Sequence, residues 1–278
     1  MPGRVAGKVA FITGAARGQG RAHAVRLAEE GADIVGIDIC EQMPNVDYPL
    51  ATAADLKRTV ELVEAADRRM IAVKADVRDA DAVQAAVDTG LREFGRLDFV
   101  IANAGIMPVF GEKSRARQAW NDCLDVLLTG VLNTVEATLP VLRDQGDGGS
   151  IVITSSMAAV KPMMWTEDAH TLGLLGYSAA KAALINLARN YASILAPYRI
   201  RVNTLHPTGV DTDMVNNDMC RTRFQDANPE DLRALVNAIP VNRIEPIDVA
   251  NVVLWLCSDE SRYFTGNPVR VDAGASLR

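Results

Sequence analysis

The sequence predicts an α/β fold, a single doubly wound domain over 1–278 with a mostly parallel, seven-stranded sheet flanked by helices. Three observations predict it. Short β-branched runs alternate with longer helical patterns along most of the chain, which is how a parallel sheet with helices on both faces is written. The run Leu97 to Asn103 is almost continuously apolar, as a strand covered on both faces must be. A glycine-rich turn, Thr13 to Gly20, joins the first such run to the first helical pattern. A length of 278 residues is near the upper size that one hydrophobic core serves, so one domain is expected rather than two.

The elements follow in order. Val9 to Thr13 opens as a strand, and Gly18 to Glu30 places small or apolar residues at Ala22, Val25 and Leu27 before stopping at Gly31. Ile34 to Asp38 is strand two. Ile39 to Thr52 contains Pro44, Asn45, Asp47 and Pro49, so it reads as an irregular loop, long enough to have a role of its own. Ala53 to Asp67 is helical, Met70 to Ala75 is strand three, Asp79 to Phe94 is helical and Leu97 to Asn103 is strand four. One long helix is expected over Arg115 to Arg143, then strand five over Ser150 to Ser155, a helix over Gly176 to Leu195 and strand six over Ile200 to Leu205. Thr208 to Asn228 carries few signals, Pro229 to Ala238 and Pro246 to Ser258 read as helices, and Val269 to Val271 as the last strand.

Composition narrows the function. With 49% hydrophobic and 23% charged residues the chain is an ordinary globular one, and its net charge of -6 offers no footprint for a polyanion. Neither nucleic acid nor a membrane is an expected partner; a small molecule is. Cys40, Cys123, Cys220 and Cys257 are far apart, as are His23, His170 and His206, so neither a disulfide framework nor a zinc site is expected. Met1 to Lys8 lacks an apolar signal core, and no stretch approaches the roughly 18 apolar residues of a membrane span, which points to a cytoplasmic, reducing location.

The turn Thr13-Gly14-Ala15-Ala16-Arg17-Gly18-Gln19-Gly20 brings a helix N-terminus against whatever the sheet edge binds. Its free N–H groups and the positive end of the helix dipole favour a diphosphate, which makes the fold Rossmann-like and the ligand a dinucleotide. Asp38 ends strand two, 18 positions after Gly20, where a carboxylate accepts the adenosine ribose hydroxyls and repels a 2′-phosphate. NAD is therefore expected over NADP, although Arg17 offers a 2′-phosphate a partner. Asp76-Val77 and Asn103-Ala104-Gly105 follow strands three and four at the same carboxyl edge.

Tyr177 and Lys181 are four apart on a helix and share a face. An ammonium beside a phenol favours the phenolate and is expected to lower the Tyr177 pKa. The spacing alone arises by chance about 0.1 times in such a chain, so a surface pair is the plain alternative; position at the end of strand five, beside Thr154-Ser155-Ser156, argues for chemistry.

From about Lys8 to Gly274 the chain resembles the short-chain dehydrogenase/reductases, through an ordered set of motifs more specific than any one of them. These are Thr13 to Gly20, Asp38, Asp76-Val77, Asn103 to Gly105, Ser156, Tyr177 to Lys181 and Pro207-Thr208-Gly209-Val210-Asp211-Thr212. The resemblance implies that Ser156 positions a substrate oxygen, Tyr177 is the acid/base, and Lys181 binds the nicotinamide ribose. It further implies a cofactor site from Gly14, Arg17, Gly18, Gln19, Gly20, Asp38, Ile39, Asp76, Val77, Asn103, Ala104, Gly105, Tyr177, Lys181, Pro207, Thr208, Val210 and Thr212. Ser156 is taken over Ser155 because the family's serine is usually the second of such a pair, and strand alternation turns the neighbour away. Ile37 to Cys40, Tyr48 to Thr52 with Asp55-Leu56, His206 to Val210 and Ser258 to Tyr263 are similar to the mycofactocin-associated, carveol-dehydrogenase-like branch. That likeness implies oxidation of a hydrophobic, terpenoid- or steroid-like secondary alcohol with tightly retained NAD, recycled in place by a mycofactocin-type redox partner, in a homotetramer.

Two features depart from the family. In Asp125-Val126-Leu127-Leu128-Thr129-Gly130, Leu127 stands where the family carries an asparagine, and it has no amide to offer a proton relay. This motivates the alternative of an NAD-binding sensor or scaffold with little turnover. Ser156 and Tyr177 are 21 positions apart, which requires an extra loop over Lys161 to Gly176; there Pro162, Met163, Met164 and Trp165 suit an apolar substrate or plain packing. Glu167, Asp168 and His170 are read as solvated loop residues, not metal ligands. Asp213 to Arg223, with Met214 and Met219, lies in an expected substrate lid over about 208–228.

Overall fold

The apolar runs form seven strands: β1 (Val9–Thr13), β2 (Asp33–Asp38), β3 (Met70–Lys74), β4 (Phe99–Ala102), β5 (Gly149–Thr154), β6 (Ile200–Pro207) and β7 (Pro268–Val271). They build one sheet in the order β3-β2-β1-β4-β5-β6-β7, every neighbouring pair parallel, so the sheet is parallel throughout. The computed structural model describes residues 3–164, 166–226, 228–233 and 235–278. Trp165 and the side chains of Asp168, Met219 and Arg223 lie outside the described residues.

The period-2 alternation of each strand sorts its side chains between two cores. Val9 and Phe11 of β1 face the layer of α3 (Ala80–Phe94), α5 (Gly130–Gln145) and α6 (Leu172–Leu195), while Ala10 and Ile12 face that of α1 (Gly18–Glu29), α2 (Ala53–Glu64) and α9 (Pro246–Cys257). Phe11 is wholly buried, a burial that contributes about 1.5–3 kcal/mol by the usual transfer scale. Local signals start and stop the helices. Thr52 and Asp55 form a reciprocal capping box on α2, the Asp79 carboxylate accepts the first N–H groups of α3, and left-handed Gly95 ends that helix.

Several boundaries differ from expectation. The single helix over Arg115 to Arg143 is α4 (Arg117–Leu124) and α5 joined by a π-helical turn at Asp125–Thr129. This 29-residue helical run is long and apolar enough to pass for a membrane span, correcting the expectation that no such stretch exists; here Cys123, Leu127, Val131, Val135 and Leu142 pack it into the core. Helix α6 begins at Leu172 rather than Gly176 because the Thr171 hydroxyl accepts the Leu174 N–H, so the extra loop ends earlier. Strand β6 continues to Pro207, whose missing N–H is harmless at a strand end. Among the described residues of Pro229 to Ala238 only α8 (Pro229–Arg233) is helical, while α7 (Asp218–Asp226) occupies part of the expected lid.

Candidate active site

The carboxyl ends of the strands open on a cavity of about 1120 Å³. Its first wall is the glycine turn. Gly14 has φ +69°, and a Cβ there would lie 2.8 Å from the Ala104 Cα; a Cβ on Gly20 would lie 1.9 Å from the Gly14 carbonyl oxygen. Only glycine permits this approach of helix to strand. No side chain caps α1 and no acid stands in its first turn, so the N–H groups of Gly18, Gln19 and Gly20 are left for an anion. Asp38, 8% exposed, lines the same cavity, its two oxygens accepting the Ala16 and Cys40 N–H groups at 3.0 and 3.1 Å.

Asn103 stitches β4 to β1: its N–H donates to the Thr13 hydroxyl and its amide to the Thr13 carbonyl. This places Ala104 and Gly105 on the cavity, together with Ile39, Asp76 and Val77, and Arg78 grips the Asp76 carboxylate. From the far side Pro207, Thr208, Val210 and Thr212 complete the wall; the Asp211 N–H donates to Ile244 and the Ile244 N–H to Gly209. Every position expected to hold a cofactor therefore lines one cavity, except Gly20, which lies beneath its glycine turn. Arg17 does not stand free for a 2′-phosphate. It donates to the Pro49 carbonyl and pairs with Asp213 at 3.1 Å, bridging the 39–52 loop and the 208–228 segment.

Ser156, Tyr177 and Lys181 meet in the same cavity. Past the last rung of β5, Ser155 turns inward and donates its hydroxyl to the Lys181 carbonyl at 2.8 Å, while Ser156 faces the cavity, where its side chain favours the Tyr177 phenolate. Lys181 Nζ donates to the Thr154 carbonyl at 2.7 Å and lies 5.9 Å from the centre of the Tyr177 ring. Here the expected electrostatics are corrected. Burial raises the Tyr177 phenol above its usual range, with the Ser156 side chain opposing it, and burial draws Lys181 down to about 8. Both groups are desolvated together, and desolvation sets the direction of each shift.

Leu127 is wholly buried in the π turn, with its Cδ2 3.1 Å from where a Gly105 Cβ would stand. It fills space that a side chain on Gly105 would need. The remaining wall is largely apolar, including Met163 of the extra loop, Val109, Leu174 and Met214. Pro162 and Met164 do not reach it, and Arg115 at the rim donates to the His170 carbonyl. Among the described residues no three His, Cys, Asp or Glu side chains converge as metal ligands.

Two contributors lie in segments marked by the branch resemblance, which gives them no role at the site. Tyr48, buried in the irregular 39–52 loop, lines the cavity, and its hydroxyl accepts the Met107 N–H at 3.0 Å. The loop is wound on Gln42, whose amide donates to Val46 and Tyr48 and accepts from Leu50. His206, beneath Ser156, is the other.

The chain is similar to several known proteins. A family model described as enoyl-(acyl carrier protein) reductase matches residues 14–276. The (-)-trans-carveol dehydrogenase of Rhodococcus erythropolis is 43% identical over 283 residues, covering 99% of each chain. A 3-alpha-(or 20-beta)-hydroxysteroid dehydrogenase of Mycobacterium bovis is 36% identical over 276 residues, 99% of this chain and 91% of that one. The crystal structure of carveol dehydrogenase from Mycobacterium avium in complex with NAD superposes with a TM-score of 0.90 at 46% identity, covering 99% of this chain and 100% of that one.

Proposed function

The chain belongs to the short-chain dehydrogenase/reductase family, and from that premise we propose that it interconverts a hydrophobic secondary alcohol and its ketone, with NAD as redox cofactor and Tyr177 as acid/base. The observation that carries this reading is the convergence of Ser156, Tyr177 and Lys181 on the cavity walled by the glycine turn and Asp38. The uncapped α1 N-terminus and the buried Asp38 carboxylate fit NAD: Gly18, Gln19 and Gly20 would hold the diphosphate, Asp38 the adenosine ribose and Lys181 the nicotinamide ribose.

When bound, NAD would supply the acceptor for the carbinol hydride and a positive charge to the cavity. Such a charge would oppose the burial that raises the Tyr177 phenol and would favour the phenolate. Ser156 orients the substrate oxygen, the Tyr177 phenolate takes its proton, and the carbon left behind becomes the carbonyl. The apolar wall favours a terpenoid- or steroid-like alcohol, in keeping with the relatives' own substrates. The 39–52 loop and the Arg17 bridge support slow NAD release, and recycling in place by a mycofactocin-type partner belongs to the same proposal. Exposed Leu132, Ile194 and Tyr198 on α5 and the α6 end support a homotetramer.

The test is a panel of cyclic terpenoid, steroid and simple secondary alcohols assayed with added NAD and, in parallel, with an artificial electron acceptor. Turnover that Tyr177→Phe removes while NAD stays bound is the expected result. NAD binding with no turnover in either format would favour the sensor that Leu127 suggests, and full activity in Tyr177→Phe would refute the acid/base assignment.

A further inference from the structure

We propose that His206 is a positioning residue whose Nδ1–H holds the Ser156 backbone carbonyl and thereby sets where the Ser156 hydroxyl meets Tyr177. The proposal rests on the roles of Ser156 and Tyr177 given above. Pairing of β5 with β6 ends at Thr154 and Leu205, and the Ser155 N–H still reaches the Leu205 carbonyl at 2.7 Å. One residue later the ladder has no rung to offer. In its place the His206 ring, wholly buried on β6, lies with Nδ1 3.0 Å from the Ser156 carbonyl oxygen and Nε2 2.8 Å from the Thr204 hydroxyl.

These partners define the ring's protonation. A carbonyl only accepts, so Nδ1 carries the hydrogen; Nε2 is then the acceptor and the Thr204 hydroxyl donates to it. Burial lowers the His206 pKa and keeps that neutral tautomer. His23 makes the contrast: it is equally buried, yet neither ring nitrogen has a hydrogen-bond partner among the described residues, so burial of a histidine in this fold does not itself require such bonds. Around Ser156 the backbone is extended, its Oγ accepts the Ala158 N–H at 3.1 Å, and its carbonyl also accepts the Ala159 N–H. The turn and the imidazole together leave the hydroxyl little freedom to swing from Tyr177.

His206→Asn and His206→Gln separate the two bonds. An asparagine nitrogen stands at the Nδ1 position and a glutamine nitrogen at the Nε2 position, so the first keeps the Ser156 contact and the second loses it. With an alcohol that the wild type oxidises, His206→Gln is expected to lower kcat about 10- to 100-fold with KM little changed, and His206→Asn less than about threefold. Independently of turnover, phenolate absorbance is titrated for each variant with and without Tyr177→Phe, which isolates Tyr177. His206→Gln should raise the Tyr177 midpoint as Ser156→Ala does, and His206→Asn should leave it near wild type. If no alcohol is oxidised, the proposed reaction fails while this titration still decides the role of His206. Should His206→Gln not fold, Thr204→Val, which frees the ring to turn, is expected to raise the same midpoint; no shift there overturns the proposal. Equal behaviour of the Asn and Gln variants in kcat and in the Tyr177 titration overturns it as well.

Discussion

Replacing Tyr48 by phenylalanine tests how the 39–52 loop retains the cofactor. The ring stays buried among the apolar residues of the loop and the adjoining core, but the oxygen that accepts the Met107 N–H at 3.0 Å is gone. The variant leaves the part-buried Met107 N–H without that acceptor, at about 1–3 kcal/mol. Gln42 keeps the rest of the loop wound on itself, while Lys113 and Asp122 tie its Asp47 and Asn45 to the neighbouring helical segment. The cost therefore falls on the closed loop relative to the open one, and a closed state weakened by that amount releases its ligand about 5- to 150-fold faster. Stopped-flow release of NADH, followed by its fluorescence with excess NAD as the chase, measures this directly. Because the opening is local, the melting temperature should move much less than the release rate. A release rate within twofold of wild type would refute the view that the Tyr48 anchor controls escape.

Two further outcomes are expected. Ser155→Ala should cost about 1–2 kcal/mol of stability, read by urea unfolding, because the Lys181 carbonyl loses its buried donor, yet keep most turnover; Ser156→Ala should show the reverse, and equal losses of kcat would contradict the division between them. His23, pulled down from 6.5 to about 3 by burial, is neutral when folded and protonated when unfolded across that window, so the unfolded state binds the extra proton and stability falls as pH drops from 6.5 to 3. His23→Leu should remove about 1.4 kcal/mol per pH unit from that slope, and an unchanged acid limb in urea titrations would show that another group causes it.

Much of the site was legible because its signals are local. A glycine turn between a strand and a helix is written in consecutive residues, and Tyr177 and Lys181 share a helix face because four positions make about one turn. The end of β2 at Asp38 and the placing of Ser156 beyond β5 follow from the same short periods. The segments holding Tyr48 and His206 stood out by resemblance, but their contacts did not, since the N–H that Tyr48 accepts is 59 positions away in a different loop and His206 meets Ser156 across 50 positions. The π turn at Asp125–Thr129 was equally hidden, because its residues keep an ordinary helical pattern.

Composition and pattern alone determined an α/β chain and the sites of most of its strands and helices, and local motifs marked the glycine turn, Asp38, Tyr177 and Lys181 that line the cavity, all of which depend on contacts within a few positions. The tertiary structure decided the strand order, the pairing of Arg17 with Asp213 instead of a phosphate, and the sign of the Tyr177 shift. Those depend on which distant segments exclude water from one another, and burial is a property of the packed molecule rather than of any stretch of its chain.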